Sequence, residues 1–244
     1  KNPNAKKHGQ IYFHDIGDYL NRNQKLEIIE DFQSINGITS QNGWTQIIPD
    51  QFNDWLNQRD PNFDTYLSMG DKKDKTALTI FNEYSNGVAT NRDFWAYNSS
   101  YSKLVSNMNC SVNFYNSQVD LQKQKKENDE PHDLSEWLNT DPTKISWSRG
   151  LKNHLSRGTK TDFSAEKIRI SLYRPYSKQQ LYFDKVFNEM QLKIPQIFPN
   201  IHLNNRVIMV CGKGTKKGFS SLISDITPDL NLLEAGAQCF PLYL

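Results

Sequence analysis

The chain has 244 residues, 36% of them hydrophobic and 12% aromatic, with 29 basic against 27 acidic side chains and a formal net charge of +2. That length holds one large domain or two small ones, and no apolar run approaches the roughly 18 residues of a membrane span. The three cysteines (Cys110, Cys211, Cys239) and five histidines fall in no CxxC or HxxxH spacing, which argues against a disulfide framework or a local zinc motif and suits reduced thiols in a cytoplasmic protein.

The opening KNPNAKKHGQ has basic residues with no apolar run behind them, so it is no signal peptide. Its lack of an initiator Met suggests a piece of something longer. Residues 10–15 (QIYFHD) predict a short strand, and Leu20, Leu26, Ile29 and Phe32 then recur at mostly helical spacing. No strand precedes this pair to partner it, as expected for the tail of a preceding domain. WTQIIPD starts another strand, and a loop-rich stretch with an Asp60-Pro61 turn follows. TALTIFNEYSNGVATNRDFWAYN predicts a β-hairpin joined through Ser85-Asn86-Gly87. Asn98 or Ser99 then caps a long helix whose Leu104, Met108, Val112, Tyr115 and Val119 form one apolar stripe. LQKQKKENDEPHD, charged and holding Pro131, has the composition of a linker. SRGLKNHLSRG predicts a short helix ending at Gly158. KIRISLYRPYSKQQLYFD predicts a second hairpin turning near 175–178, and RVIMVC a strand, with AGAQCFPLYL closing the chain. Helices and strands mix without βαβ alternation, so the expected class is α+β, with β-hairpins packed on one long helix in one or two subdomains.

The small net charge hides an uneven distribution. From Lys144 to Lys217 there are 15 basic and 4 acidic side chains, whereas residues 1–120 hold 11 and 14. Such asymmetry points to a polyanionic partner for the second half. Three stretches interleave aromatic, basic and amide side chains. TNRDFWAYN offers Asn91 and Arg92, ISWSRGLKNHLSRG offers Arg149, Lys152 and Arg157, and SLYRPYSKQQLYF offers Arg174, Lys178 and Gln179. Arg can take guanine, and Asn or Gln adenine, through two hydrogen bonds each, while Lys mainly neutralises phosphates. Most of the aromatics are expected in the core.

VIMVCGKGTKKGFSSLISD runs from an apolar strand through Gly212, Gly214 and Gly218 into a segment suited to a helix. A dinucleotide fingerprint needs G-x-G-x-x-G, and here the third glycine comes one residue late. A P-loop needs Lys after its last glycine, and Phe219 stands there. Two readings stay open: glycine amides with Lys213, Lys216 and Lys217 clamping a nucleic-acid phosphate, or a solvated strand-to-helix turn. No hydrolase, metalloprotease, nuclease or amino-methyltransferase signature is complete in the chain. No catalytic residue, metal ligand or cofactor site is therefore expected within it.

The segments HDIGDYLNRNQKLEII, GVATNRDFWAYN, ISWSRGLKNHL, IRISLYRPYSKQQLYFD, NRVIMVCGKGTKKGFSSLISDITPDL and QCFPLYL, in this order, resemble the C-terminal region of the type ISP restriction–modification enzymes. That resemblance implies a target recognition domain that reads double-stranded DNA for a single-polypeptide, ATP-dependent enzyme. In such an enzyme the nuclease, helicase-like ATPase, coupler and adenine-N6 methyltransferase lie upstream, along with the sites for S-adenosylmethionine, ATP and Mg. Residues 1–36 would be the end of the methyltransferase domain. Residues 37–121 and 144–244 would be the two halves of the recognition domain, with 122–143 between them. The resemblance names no base-reading residue and leaves 53–75 and 122–144 open as readers. The alternatives are a docking module for the parent's other domains and, behind it, a nucleotide-using enzyme built around Gly212 to Gly218.

Overall fold

The computed structural model describes residues 9–55, 60, 62–130, 133–212, 214–216 and 218–243. The chain divides into two compact units, Lys1–Tyr66 and Leu67–Leu244.

In the first unit β1 (Ile11–Phe13) does have a partner, supplied from downstream. It pairs antiparallel with β2 (Thr45–Ile47), with Tyr12 opposite Gln46. Helix α1 (Arg22–Asp31) opens on a capping box: the Asn21 side chain accepts from the Gln24 amide at 3.0 Å and the Gln24 side chain accepts from the Asn21 amide at 2.9 Å, satisfying two of the donors a helix start leaves free. After the short α2 (Ile35–Ser40) the chain reaches β2. Among the described residues of this unit none is buried.

The second unit carries the core. Its elements are β3 (Ser85–Asn86), α3 (Asp93–Ala96), β4 (Tyr97–Asn98), α4 (Tyr101–Glu127), α5 (Leu134–Trp137), α6 (Arg149–Ser156), β5 (Ile168–Tyr173), β6 (Ser177–Tyr182), α7 (Ile194–Ile197), β7 (Val207–Val210), β8 (Ser221–Ser224), β9 (Thr227–Pro228) and β10 (Gln238–Pro241). They form two four-stranded sheets, ordered β4-β6-β5-β9 and β3-β10-β7-β8. All named pairs are antiparallel except β5 with β9. The class is α+β.

Helix α4 starts one residue beyond its expected cap. Ser100 accepts from the Lys103 amide, no Gly or Pro interrupts the 27 residues, and Lys125 and Lys126 offset the partial negative charge of the last turn. The whole anticipated stripe is buried, with Leu104, Met108 and Tyr115 at 0% exposure. It packs with Leu151 and Leu155 of α6 and with Ile168, Tyr182 and Phe187 into one core layer. Leu181, adjacent to Tyr182 but on the opposite face of β6, joins Val88, Ile194, Val207, Met209 and Cys239 in a second.

Several expected elements differ. Residues 76–98 do not form a hairpin: Ser85–Asn86 pairs with β10 across the chain, and 93–96 turn as a helix. The supposed turn instead lies against Asp229, where a Cβ on Gly87 would stand 2.6 Å from the Asp229 carbonyl oxygen. The linker-like segment is also stitched to the domain. Residues 122–127 continue α4, the Gln118 side chain accepts from the Asn139 amide at 3.3 Å, and the Ser111 hydroxyl donates to the Lys144 carbonyl at 3.2 Å. Two buried α4 side chains thus hold the chain at 139 and 144, near and just beyond the end of that segment. The hairpin over 168–182 forms as expected, in register from Ile168–Tyr182 to Tyr173–Ser177.

Candidate nucleic-acid interface

Strand pairing gathers several loops at one end of the second unit. Because β9 runs parallel to β5, with Leu172 beside Pro228, the chain leaves β9 next to the β5–β6 turn. Residues 229–237 then cross to β10, whose Gln238 pairs with Val210 at the end of β7. The β5–β6 turn, the crossing loop and the start of the β7–β8 loop therefore share one end. Residues 87–94 join them: the Val88 amide donates to Pro228 at 2.9 Å and the Leu230 amide to Val88 at 2.8 Å.

At this end Arg174 is held by two carboxylates. Its guanidinium reaches Asp93 at 2.5 Å and Asp229 at 3.6 Å. The Tyr173 hydroxyl donates to Asp93 at 3.0 Å, and the Thr90 hydroxyl donates to the other Asp93 oxygen. Asp229 is 2% exposed; burial raises its pKa to about 6, helped by Asp93 and opposed by the Asn231 amide and Arg174. Arg174 is thus an exposed cation whose direction is set before any ligand arrives.

Arg92, expected at the surface, lies inside at 3% exposure. Its guanidinium donates to the Thr90 carbonyl at 2.9 Å, to the Phe187 carbonyl, to the Ser146 carbonyl at 3.3 Å and to the Ser148 hydroxyl at 2.6 Å. Burial lowers its pKa to about 10, with Glu189 and Asp184 opposing, so it stays charged at neutral pH. With its donors spent on the protein it cannot read a base. It braces the scaffold instead. Ser148 also caps α6, accepting from Leu151 at 3.3 Å and donating to Glu189 at 2.5 Å. The Glu189 carboxylate takes the Gly150 amide at 3.0 Å. The start of α6 already holds an anion of its own.

The glycine loop is a hairpin connection. β7 is followed by β8, antiparallel, with Val210 opposite Ser221, and the expected helix is a strand. Its Ser221, Ile223 and Asp225 face solvent while Ser224 is buried, a pattern of residues on a sheet edge. Gly212 is buried, and its amide donates to the Glu234 carbonyl at 3.0 Å. A Cβ there would stand 1.8 Å from the Ala235 carbonyl oxygen. Close backbone approach, not phosphate binding, is what requires this glycine. Gly214 is exposed at φ +84°, and Lys216 is exposed. Lys213 and Lys217 lie outside the described residues. Without a helix start behind it, and with the first glycine amide engaged, the loop does not fit a nucleotide.

The remaining expected residues divide by position. Asn91, exposed at φ +53°, stands between Thr90 and Arg92. Exposed Arg149 follows the Ser148 that Arg92 holds. Lys178, exposed, pairs with Leu172 one step from the turn, and half-buried Gln179 pairs with Ser171. With Arg174 and Lys216, Asn91, Lys178 and Gln179 belong to the shared end, and Arg149 opens α6, joined to residues 90–92 through the Arg92–Ser148 bond. Lys152 is half-buried on α6. Arg157 caps the far end of that helix, roughly 12 Å from Arg149 at 1.5 Å per residue, in a pocket of about 430 Å³ lined by Lys123, Lys126 and Lys160. There Lys160 pairs with Asp120 on α4 at 2.6 Å, and Lys126 donates to the Ser156 carbonyl at the end of α6 at 2.9 Å. Sequence reasoning missed Asp93 and Asp229 as the carboxylates behind Arg174. Only the acid–aromatic spacing of RDFWAY hinted at the first.

Among the described residues no group of three or more His, Cys, Asp or Glu could hold a metal, and no helix is long and apolar enough to cross a membrane.

An α+β module that gathers an oriented arginine with exposed cations and amides at the loop end of its sheets has the build of a polyanion-recognition domain. Residues 79–244 match the Type ISP C-terminal specificity domain family, and the chain belongs to it. It is similar in structure to the ATP-dependent Type ISP restriction-modification enzyme LlaBIII bound to DNA (33% identity, TM-score 0.76, 96% of this chain and 14% of that one). It is also similar to a nuclease-deletion mutant of the Type ISP enzyme LlaGI in complex with a DNA substrate mimic (36%, 0.79, 98% and 19%). A third likeness is to the DrdV–DNA complex (30%, 0.76, 96% and 22%). The chain thus spans about a fifth or less of the first two structures' length. No curated protein matches it.

Proposed function

We propose that the chain reads a double-stranded DNA sequence for a Type ISP restriction–modification enzyme of which it is one part. The observation that carries this is its likeness, at 33% and 36% identity over nearly its whole length, to two Type ISP enzymes captured on DNA or a DNA mimic. The basic second half agrees with it independently. Arg149, Lys178 and Lys216 neutralise phosphates and set the register. Asn91, Gln179 and the oriented Arg174 address base edges. S-adenosylmethionine, ATP and Mg would be held by upstream methyltransferase and ATPase domains, and an adenine flipped from the duplex would be methylated there. Such a protein works in the cytoplasm.

Paired variants test the division of labour. Arg149→Ala should weaken binding to all duplexes alike and lower the slope of log K against log salt by about one. Asn91→Ala should leave that slope unchanged and relax preference at one base pair. Equal effects on all sequences from both variants would refute the assignment.

The docking reading keeps support from the first unit, where Ile29, Ile35 and Trp44 line an apolar pocket of about 380 Å³ beside His14 and Phe32. Residues 1–36 as the end of a methyltransferase domain would present that surface to the rest of the domain.

A further inference from the structure

Two aromatic side chains flank the Arg174–Asp93 ion pair and stand in solvent. Phe94 is 87% exposed and Tyr176 61%. Neither is loose. Phe94 sits on α3 between residues that are all anchored: Arg92 is buried on four protein oxygens, Asp93 accepts from Thr90, Tyr173 and Arg174, Trp95 packs against the core and Ala96 is fully buried. Trp95 also backs the Phe94 ring edge-on at 6.3 Å. Tyr176 lies two residues from Arg174 in the β5–β6 turn, at φ +67°, a left-handed conformation that a β-carbon disfavours. Strain of this kind persists where the surroundings hold it, and it collects at ligand sites.

An aromatic ring on constrained backbone, uncovered and next to an oriented cation, is poor design for a free surface and good design for a contact. We propose that Phe94 and Tyr176 are base-contacting residues: their rings meet nucleobases of the bound duplex while the neighbouring cations take its phosphates. This rests on the DNA-reading function above and deepens it. The chemistry recognised is the apolar part of a base, either a thymine methyl in the major groove or the face of a base opened from its stack. The anchoring matters because a ring on backbone that is already ordered loses less freedom on binding.

The test uses the whole chain and the duplex it enriches from a random library. Thymines are replaced one at a time by deoxyuridine, and adenines by 2-aminopurine. Phe94→Ala and Tyr176→Ala should each reduce affinity about ten- to a hundredfold with the salt slope unchanged, because no phosphate contact is lost. Phe94→Leu should recover part of the loss. Both positions are exposed, so thermal stability should stay near that of the parent chain and a folding defect would be visible. A deoxyuridine that weakens the parent chain but not a variant identifies a methyl contact. A rise in 2-aminopurine fluorescence that a variant abolishes identifies an unstacked base. If the parent chain binds and both alanine variants match it on every duplex, the inference is overturned and the DNA-reading function stands. If the parent chain enriches and binds no duplex at all, that function itself has failed.

Discussion

Arg92 and Arg174 are both arginines in aromatic-rich stretches, and their surroundings give them different work. Arg92 satisfies three carbonyls and the Ser148 hydroxyl in the interior. Arg92→Met should lower stability by about 3–5 kcal/mol, since it strands buried acceptors; urea unfolding measures this, and Arg92→Lys should recover little because one ammonium cannot reach all four. Asp229 gives a pH signature. Its pKa rises from 3.8 to about 6 on folding, mainly through burial, so its ionised form is disfavoured in the native state. The stability linked to its proton is present below about pH 4 and is lost as pH rises through 6, on the order of 2–3 kcal/mol. Asp229→Asn should therefore gain on the parent chain by about that amount between pH 4.5 and 7.5. A difference that does not change with pH would show that Arg174 already compensates the charge.

The β7–β8 connection shows how a glycine motif suggests one geometry while distant pairing imposes another. Gly212→Ala places a methyl against the Ala235 carbonyl and should cost about 3 kcal/mol or more, whereas Gly214→Ala meets open space and only the strain of φ +84°, about 1 kcal/mol. Chemical denaturation of the two variants separates close approach from turn conformation. What was legible in the sequence was local. The stripe on α4, the short helix α6, the 168–182 hairpin and the strand at 207–210 each follow from spacing within a dozen or so residues. What was not legible depends on distant partners. Ser85–Asn86 looked like a turn because its strand partner, Gln238–Cys239, lies at the other end of the chain. The apolar segment after Gly218 suited a helix, but its Leu222 and Ile223 pair with β7 as an edge strand. At the candidate site, Asn91, Arg149, Arg174, Lys178 and Lys216, singled out by residue type, are all exposed. Arg92 was misplaced because adjacent residues can face opposite ways, and nothing in TNRDFW tells which of them turns inward.

At the scale of the molecule, charge and packing separate. Both apolar core layers lie in the second unit, and the first has no buried residue among those described. A chain of residues 67–244 should therefore unfold cooperatively on its own, with a melting temperature close to that of the 244-residue chain; calorimetry of both tests this. The basic excess of the second half concerns association, not folding. The most direct measurement of the central claim is selection by the 244-residue chain from a random duplex library at moderate salt. An enriched asymmetric motif of several base pairs, bound with an affinity that falls steeply as salt rises, is the expected result. Binding without enrichment, or no binding even at low salt, would contradict the claim that this chain reads DNA sequence.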